Sequence, residues 1–269
     1  MASCIEAKTG LEFFELSHPF SHGVPVWPGD DDVRIWKSVY HARDGVLSQK
    51  LTMNMHCSTH MTAPVHLIQG GDFVADLPLD LFFGQAAILD IPKDRWEYVT
   101  AADLKKHAKL VAQAEMVLIV TGWHKKYSDS LEYFGDAPGL SEDAAEWLIE
   151  QDVKLVGTDT AAIDHPMATN LAAHRGGPKM RYLPAKYRRE TGKDPKTEFP
   201  KWNPAHKALL AAGIPTVSNI GGDIDDVRGN IVTLHAVPWK WTEGEACIIN
   251  LVGICDPAGA YRIEAGDTV

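Results

Sequence analysis

The sequence predicts a single domain of the α/β or α+β class, built around a largely mixed sheet. Two apolar runs, residues 86–91 and 116–121, have the length of strands that are buried on both faces. Predicted helices lie between the predicted strands, but the two types do not alternate strictly along the chain. The 269 residues are enough to bury a full core. We therefore expect an α/β fold in which helices flank a mixed sheet.

Local patterns predict the strands in the first part of the chain. Residues 13–19 read as a short strand that runs into turns, and a loop punctuated by proline follows at residues 24–30. Alternating apolar positions within residues 33–55 predict two strands separated by residues 41–45. The second of these strands leads into a segment that is rich in histidine.

Helix signals are clearest at three places. Thr100 and Asp103 have the spacing of a capping box, which predicts a helix over residues 100–111. Acids in the first turn predict a helix over residues 141–151, and an Asn-Pro start with a terminal glycine predicts one over residues 203–213. Further strands are predicted at residues 154–158, 215–220, 231–237 and 246–252.

The net charge limits the kinds of binding partner that this protein can have, and the cysteine content indicates its location in the cell. The formal net charge of -10 argues against nucleic acid or an anionic membrane as the main partner, since both favour a basic face. No stretch is long enough to span a bilayer, and the first residues lack the pattern of a signal segment. The four cysteines show neither close pairs nor metal-finger spacing, which indicates a reducing, cytoplasmic setting.

One basic segment, around residues 174–202, departs from the acidic character of the chain. Residues 175–201 contain nine Lys or Arg against three acids, and prolines and glycines interrupt them. Such a segment is either a solvated excursion or a lid or subunit-contact arm that meets an anionic group. We expect residues 1–269 to form one domain that carries this segment as an insertion.

The segment at residues 55–66 contains three of the 12 histidines. His56 and His60 are four residues apart, a spacing that puts two rings on one face of a helix but parts them by about 13 Å on a straight strand. Pro64 and the short hydroxyl residues disfavour a helix. If both rings serve one site, the chain has to leave its strand near Cys57 and turn.

Two other interpretations of this segment remain open. Its histidines can be satisfied members of a polar strand and turn. Cys57 can act as a nucleophile with His60 or His56 as its base, although a free cysteine also packs as a small apolar residue.

The segment also resembles a family motif. The pattern His-x-Ser-Thr-His-x-Thr-x-Pro-x-His at residues 56–66 is similar to the His-x-Gly-Thr-His-x-Asp-x-Pro-x-His motif of the cyclase-like metal-dependent hydrolases, the family of kynurenine formamidase, isatin hydrolase and trans-dienelactone hydrolase. The resemblance implies a swivelling β/α/β-type fold, hydrolysis of a small lactone, cyclic amide or acyl amide, and a homodimer or larger homo-oligomer. It also implies that His56 and His60 are metal ligands and that His66 is the catalytic histidine.

Two carboxylate positions of the family pattern carry hydroxyl residues in this chain. Thr62 stands at the motif aspartate, and Ser218 stands at the apparent position of a later glutamate. The loss of carboxylates disfavours manganese. Zinc remains an option, with His56, His60 and His206 as ligands and water in the fourth position.

A metal-free site is the alternative. The three histidines of the segment would then act as acids and bases, and Thr59, Thr62 and Ser218 would hydrogen-bond to the substrate. Such a site suits a lyase or isomerase as well as a hydrolase. Trp27 is a candidate wall for a flat substrate. A third hypothesis is a non-catalytic relative that binds a small molecule.

Overall fold

The structure is a computed structural model, and it describes residues 3–175 and 180–259. The described strands are Cys4–Ile5 (β1), Glu12–Glu15 (β2), Arg34–Val39 (β3), Ser48–Thr52 (β4), His60–Thr62 (β5), Phe83–Asp90 (β6), Tyr98–Val99 (β7), Met116–Val120 (β8), Gly139–Leu140 (β9), Leu155–Thr158 (β10), Thr216–Ser218 (β11), Ile231–His235 (β12), Ala246–Ile248 (β13) and Val252–Cys255 (β14). The described helices are His41–Asp44 (α1), Ala101–Lys105 (α2), Ala108–Val111 (α3), Leu131–Gly135 (α4), Glu142–Glu150 (α5), Leu183–Thr191 (α6), Pro195–Glu198 (α7), Pro204–Ala211 (α8) and Ile224–Val227 (α9). No helix within these ranges is long and apolar enough to cross a membrane.

Ten of the strands form one mixed sheet in the order β1-β2-β14-β12-β6-β8-β10-β11-β5-β13. The four strands β6, β8, β10 and β11 run parallel, and the remaining pairs are antiparallel. Helices α2, α3, α5 and α8 lie in the connections between the parallel strands. The predicted α/β fold with a mixed sheet and flanking helices is confirmed.

The strand β8 shows how the sheet is buried on both faces. Leu118 and its alternate neighbours pack into one apolar cluster, which also contains Leu16 and Met61. Val117 and Ile119 point to the opposite face, where a second cluster includes residues of the flanking helices. Because successive side chains of a strand alternate between faces, a continuous apolar run is required here.

Two predicted elements differ from the observed ones. The predicted helix over residues 100–111 is divided into α2 and α3, although the capping box of Thr100 and Asp103 is present. The predicted strand over residues 246–252 is also divided: β13 pairs with β5 at one end of the sheet, whereas β14 pairs with β12 and β2 near the other end. Pairing with distant strands, rather than local pattern, decides where this chain segment is divided.

The carboxylate of Asp159 fixes the end of β10 to the turn that follows β8. It is fully buried and accepts hydrogen bonds from Thr121 (N at 3.0 Å and Oγ1 at 2.7 Å), Gly122 (N at 2.8 Å) and His124 (N at 3.3 Å and Nδ1 at 3.0 Å). Without this acceptor the buried donors would be unpaired.

The basic segment predicted at residues 174–202 is packed on the domain where it is described, and its residues 176–179 lie outside the described residues. Leu183 and Tyr187 of α6 are buried in an apolar cluster with Phe134. Several of its cations pair with acids of the same chain: Lys186 with Asp136, Arg188 with Asp194, Lys193 with Glu198, and Lys201 with Glu142. The segment ends at Trp202, which is 42% exposed.

We predict that Asp159→Ala lowers the free energy of unfolding by roughly 3 to 5 kcal/mol, the usual effect of removing one partner of a buried charged network. Denaturant unfolding of the variant and of the native chain measures this difference. Asp129→Ala, at an exposed loop position, is the control and should change stability little. An equally small change in both variants would contradict the role given to Asp159.

Candidate active site

A cavity of about 270 Å³ opens beside the carboxyl ends of β10 and β11. Ligands of open α/β sheets commonly bind at this edge. Four histidines line it, together with two tryptophans and several small polar residues. The lining residues are Trp27, Asp30, His56, His60, Thr62, His66, Leu67, Ala161, Ala162, Asp164, Thr169, Asn170, Trp202, Asn203, His206 and Ser218.

A turn at Ser58 brings the first two histidines together. Ser58 has a φ of 51°, in the left-handed region that non-glycine residues rarely occupy. The turn ends at β5, whose first residue is His60, and it places His56 Nδ1 3.4 Å from His60 Nε2. The expectation that the chain leaves its strand near Cys57 therefore agrees with the structure.

Asn219 holds this turn from a distant part of the chain. Its Nδ2 donates to the Ser58 carbonyl oxygen at 2.6 Å, and its Oδ1 accepts from the Tyr133 hydroxyl at 2.6 Å. Thr59 Oγ1 donates to the Asn219 carbonyl oxygen at 2.6 Å and accepts from the backbone N–H of His18 at 2.9 Å. Thr59 was expected to bind substrate. Its hydroxyl instead makes hydrogen bonds within the protein, and Thr59 is not among the residues that line this cavity.

Hydrogen bonds also fix the tautomers of the His56 and His60 rings. His60 Nδ1 lies 3.0 Å from the Ser58 carbonyl oxygen, which can only accept, so Nδ1 carries the proton. The neutral His60 ring then has its lone pair on Nε2 and accepts from His56 Nδ1–H. This assignment leaves a lone pair on His56 Nε2, a buried atom without a hydrogen-bond partner among the described residues.

His66 and His206 extend the cluster. The His66 ring centroid lies 4.3 Å from that of His56 and 6.1 Å from that of His206. His66 follows β5 in the turn Pro64–His66 and is exposed, whereas His206 belongs to α8. His206 Nε2 is 2.8 Å from Thr216 Oγ1.

The site keeps its histidines neutral near pH 7. Burial lowers the pKa of His60 to about 4 and the pKa of His206 to about 3, and it lowers the pKa of His56 further. Burial also lowers the pKa of His66, but the carboxylate of Glu245 opposes this effect. Each neutral imidazole keeps a lone pair on one ring nitrogen as a hydrogen-bond acceptor, but the lowered pKa values make the most buried rings weak bases.

Glu245, which precedes β13, lies close to the histidine cluster. The sequence did not predict this position. Its Oε1 lies 3.8 Å from His56 Nε2. Its backbone carbonyl accepts from the N–H of Ala63, one residue past β5, which fixes its position beside the histidines. No local pattern distinguishes this glutamate from the 35 other acids of the chain.

Aromatic side chains form the walls of the cavity. Trp27, predicted as a wall, lines it and donates from Nε1 to Asn170 Oδ1 at 2.9 Å. Trp202, at the end of the basic segment, also lines it. Asp164, which also lines the cavity, is buried at the start of α8. It accepts hydrogen bonds from the backbone N–H groups of Ala205 and His206 at 2.9 and 3.0 Å, and burial raises its pKa to about 7.

The predicted metal ligands are placed as follows. His56 Nδ1 and His60 Nε2 are 3.4 Å apart, close to the separation of about 3.3 Å for two nitrogens bound to one tetrahedral zinc. The Nε2 atom of His206, the expected third ligand, forms a hydrogen bond with Thr216 Oγ1. Thr62 and Ser218, both buried beside His60, contribute neutral hydroxyls. Across residues 3–175 and 180–259, no three His, Cys, Asp or Glu side chains are arranged to hold a metal ion.

Cys57 does not have the surroundings of a nucleophile. It is buried in an apolar cluster with Val24, Val26 and Val33, and its Sγ donates to the Asn54 carbonyl oxygen at 3.0 Å. Burial raises the pKa of the Cys57 thiol to about 11. The thiolate that nucleophilic attack requires is therefore disfavoured.

Comparisons with known proteins identify relatives of this chain. Residues 14–165, more than half of the chain, match the family model Cyclase. The kynurenine formamidase of Bacillus thuringiensis is 32% identical over 165 residues, which are 61% of this chain and 75% of that protein.

Solved structures share the fold at low sequence identity. An isatin hydrolase bound to the product analogue thioisatinate is similar with a TM-score of 0.71 and 19% identity, covering 91% of this chain and 92% of that one. A predicted metal-dependent hydrolase from Bacillus stearothermophilus is similar with a TM-score of 0.63 and 18% identity, covering 91% of this chain and 98% of that one.

We predict that stability falls in mild acid. The pKa values of the buried histidines lie below the unfolded value of about 6.5, so the unfolded chain binds more protons. The stability from each ring is complete above about pH 6.5 and is lost as the pH falls toward its folded pKa, at up to about 1.4 kcal/mol per pH unit.

Denaturant unfolding between pH 7 and pH 5 measures this slope. His206→Gln should reduce the slope by close to the share of one histidine. The same slope in the native chain and in His206→Gln would contradict the neutral state of the buried ring.

Proposed function

Because this chain belongs to the cyclase family, we propose that it is a hydrolase that adds water to the carbonyl carbon of a small acyl amide or cyclic amide. The observation that carries the proposal is the cluster of four neutral imidazoles in a cavity with aromatic walls. The named relatives are a formamidase and an isatin hydrolase, which act on carbon–nitrogen bonds. A cavity of this size between Trp27 and Trp202 suits a planar aromatic amide.

His66 is the proposed proton carrier. Its neutral ring takes a proton from water while the water oxygen bonds to the carbonyl carbon, and the carbonyl oxygen becomes an oxyanion. The hydroxyls of Thr62 and Ser218 line the cavity and donate hydrogen bonds to that oxygen. His66 then returns the proton to the amide nitrogen as the carbon–nitrogen bond breaks, which leaves a carboxylic acid and an amine.

Two further groups support this transfer. The carboxylate of Glu245 favours the imidazolium that His66 forms, since it raises the His66 pKa. His56 Nε2 has a free lone pair that accepts a hydrogen bond from the water or from the substrate N–H. His60 fixes the orientation of His56 by the contact between their rings.

The proposed reaction makes no use of a metal ion. The pair His56 and His60 fits two positions of a zinc site, but Thr62 and Ser218 lack the charge that retains a divalent cation, and His206 bonds elsewhere. The residues present therefore do not complete a site for zinc or manganese. This is a difference from relatives that are described as metal-dependent. The metal-free lyase and isomerase hypotheses use the same bases but have no counterpart among the named relatives.

The proposal extends to the location, the domain organisation and the assembly of the protein. The four cysteines are free, which supports a reducing, cytoplasmic location. We propose that residues 1–269 form one domain with a basic insertion around residues 174–202, and that this insertion acts as a lid over the substrate; the presence of Trp202 in the cavity lining supports this role. A homodimer or larger homo-oligomer is the proposed assembly.

We predict that the purified enzyme hydrolyses N-formyl aromatic amines or isatin-like lactams, and that His66→Ala lowers kcat/KM by about 100-fold or more through loss of the proton carrier. Steady-state assays across an amide and lactone panel measure this. His235→Ala is the matched control and should retain full activity. Turnover of none of these compounds, or full activity in His66→Ala, would refute the proposed function.

The pH profile tests Glu245. Glu245→Gln removes the carboxylate that raises the His66 pKa, so the acid limb of kcat/KM should move to lower pH while kcat falls. An acid limb that stays in place would show that Glu245 does not act through His66.

Measuring the metal content, and the activity after chelation, tests whether the enzyme depends on a metal ion. We expect native enzyme purified without chelator to contain less than stoichiometric zinc or manganese and to retain activity after chelation. Thr62→Asp with Ser218→Glu should bind zinc in equilibrium dialysis more tightly than the native chain, and Thr62→Asn with Ser218→Gln, which adds size without charge, should not. Stoichiometric native metal whose removal abolishes turnover would contradict this part of the proposal.

A further inference from the structure

A second cavity, of about 390 Å³, lies beside the turn that carries Ser58 and Thr59. Both residues line this second cavity, and neither lines the histidine cavity, so the turn stands between the two. The remaining lining comes from residues 15–20, residues 248–250 and Trp239. The two cavities share none of their described lining residues, and the second is therefore distinct from the candidate active site.

His18 lines the second cavity, and its ring is fixed although it makes no hydrogen bond. One face of the ring stacks on Tyr127, with the ring centroids 3.7 Å apart and the planes 5° from parallel. Gly221 also lies against the ring, so closely that a Cβ atom at position 221 has no room. Neither ring nitrogen has a hydrogen-bond partner in the part of the chain that the structure describes, and Nε2 is buried.

The state of the His18 ring indicates what it can bind. Burial lowers the pKa of His18 to about 4, so the ring is neutral near pH 7 and offers one nitrogen as a hydrogen-bond acceptor. Buried polar atoms of proteins are nearly always paired, and an unpaired one points to a ligand, an ion or a water molecule as its partner. A ligand with N–H donors would satisfy this ring.

Glu15 and Trp239 add charge and an aromatic face to the second cavity. Among the described lining residues, Glu15 alone carries a formal charge at pH 7, and its carboxylate has no cationic partner there. The Trp239 side chain is 53% exposed. Its loop is closed by the Trp241 N–H, which donates to the Trp239 carbonyl oxygen at 2.7 Å, and by the Trp241 ring, which lies against Gly244.

We propose that the second cavity binds a small primary ammonium ion with a flat apolar body. An ammonium group has three N–H donors, which suit the carboxylate of Glu15 and the acceptor nitrogen of His18. A cation is also attracted to the face of an indole ring such as that of Trp239. The apolar body of the ligand packs against Phe20 and Ile248. An anion is disfavoured, because the Glu15 carboxylate repels it.

A ligand in the second cavity contacts the framework of the candidate active site. Thr59 Oγ1 accepts from the backbone N–H of His18 at 2.9 Å and donates to the Asn219 carbonyl oxygen at 2.6 Å. An ammonium ion held by His18 therefore lies against the turn that leads into His60. The inference does not depend on the proposed reaction, because binding is measured without turnover.

Isothermal titration calorimetry of the full chain with benzylammonium chloride tests the site near pH 7. We expect one equivalent to bind, and we expect benzyl alcohol and benzoate, its neutral and anionic analogues, to bind at least about tenfold more weakly. Glu15→Gln should weaken benzylammonium binding by about tenfold, and Trp239→Ala should weaken it by roughly three- to tenfold. Glu150→Gln and Trp36→Ala, at exposed positions outside the cavity, are matched controls and should leave the affinity unchanged.

The ring nitrogens of His18 give a second readout. Their signals in ¹H–¹⁵N spectra should shift on addition of benzylammonium and stay in place with benzyl alcohol. Circular dichroism establishes that each variant is folded before its affinity is compared. A native chain that does not bind benzylammonium would overturn the proposal. Binding that is unchanged in Glu15→Gln and Trp239→Ala but lost in Asp30→Asn would assign the cation to the histidine cavity, which Asp30 lines, and would equally overturn it.

Discussion

The Ser58 carbonyl oxygen accepts hydrogen bonds from the Asn219 side chain and from the His60 ring, and the geometry of the cavity depends on this pair. A left-handed serine costs roughly 1 to 2 kcal/mol, so the turn has to be held by its surroundings. Asn219 and Thr59 supply that restraint across the sheet. The result is that two histidines four residues apart meet at 3.4 Å without a helix, which Pro64 and the short hydroxyl residues of this segment disfavour.

Burial of the rings then determines their chemistry. The burial that removes water from His60 and His206 lowers their pKa values, so they stay neutral at a pH where a solvated imidazole begins to be charged. Keeping these rings neutral makes the folded protein less stable in acid, because protonation of the rings is disfavoured in the folded state and not in the unfolded state. His66 differs, because it is exposed and the carboxylate of Glu245 opposes the lowering of its pKa, and we therefore propose it as the ring that exchanges a proton.

Much of the fold was predictable from local sequence, because it depends on local patterns. Apolar runs of strand length identified β6 and β8, and the capping box located the start of α2. The start of α8 was also predicted at Pro204, but Asn203 is left-handed and makes no side-chain cap. The buried carboxylate of Asp164 accepts from the first turn of α8 instead, from about 40 residues away.

The candidate site was predictable only in part. The histidine segment and the hydroxyls of Thr62 and Ser218 stood out by their spacing and by a family resemblance. Asn219 and Glu245 did not, since their roles arise from contacts across the sheet: Asn219 is 161 residues from Ser58, and Glu245 reaches the cluster through the edge strand β13. Side chains that act by such contacts carry no local signal.

The account of the site rests on neutral His56 and His60 rings with fixed tautomers. Long-range ¹H–¹⁵N correlation spectra of the histidine rings, assigned by single substitutions, test it most directly. We predict that at pH 6 His56 and His60 both give the pattern of a neutral ring protonated on Nδ1. Imidazolium signals from these rings at that pH, or a His60 ring protonated on Nε2, would contradict the account.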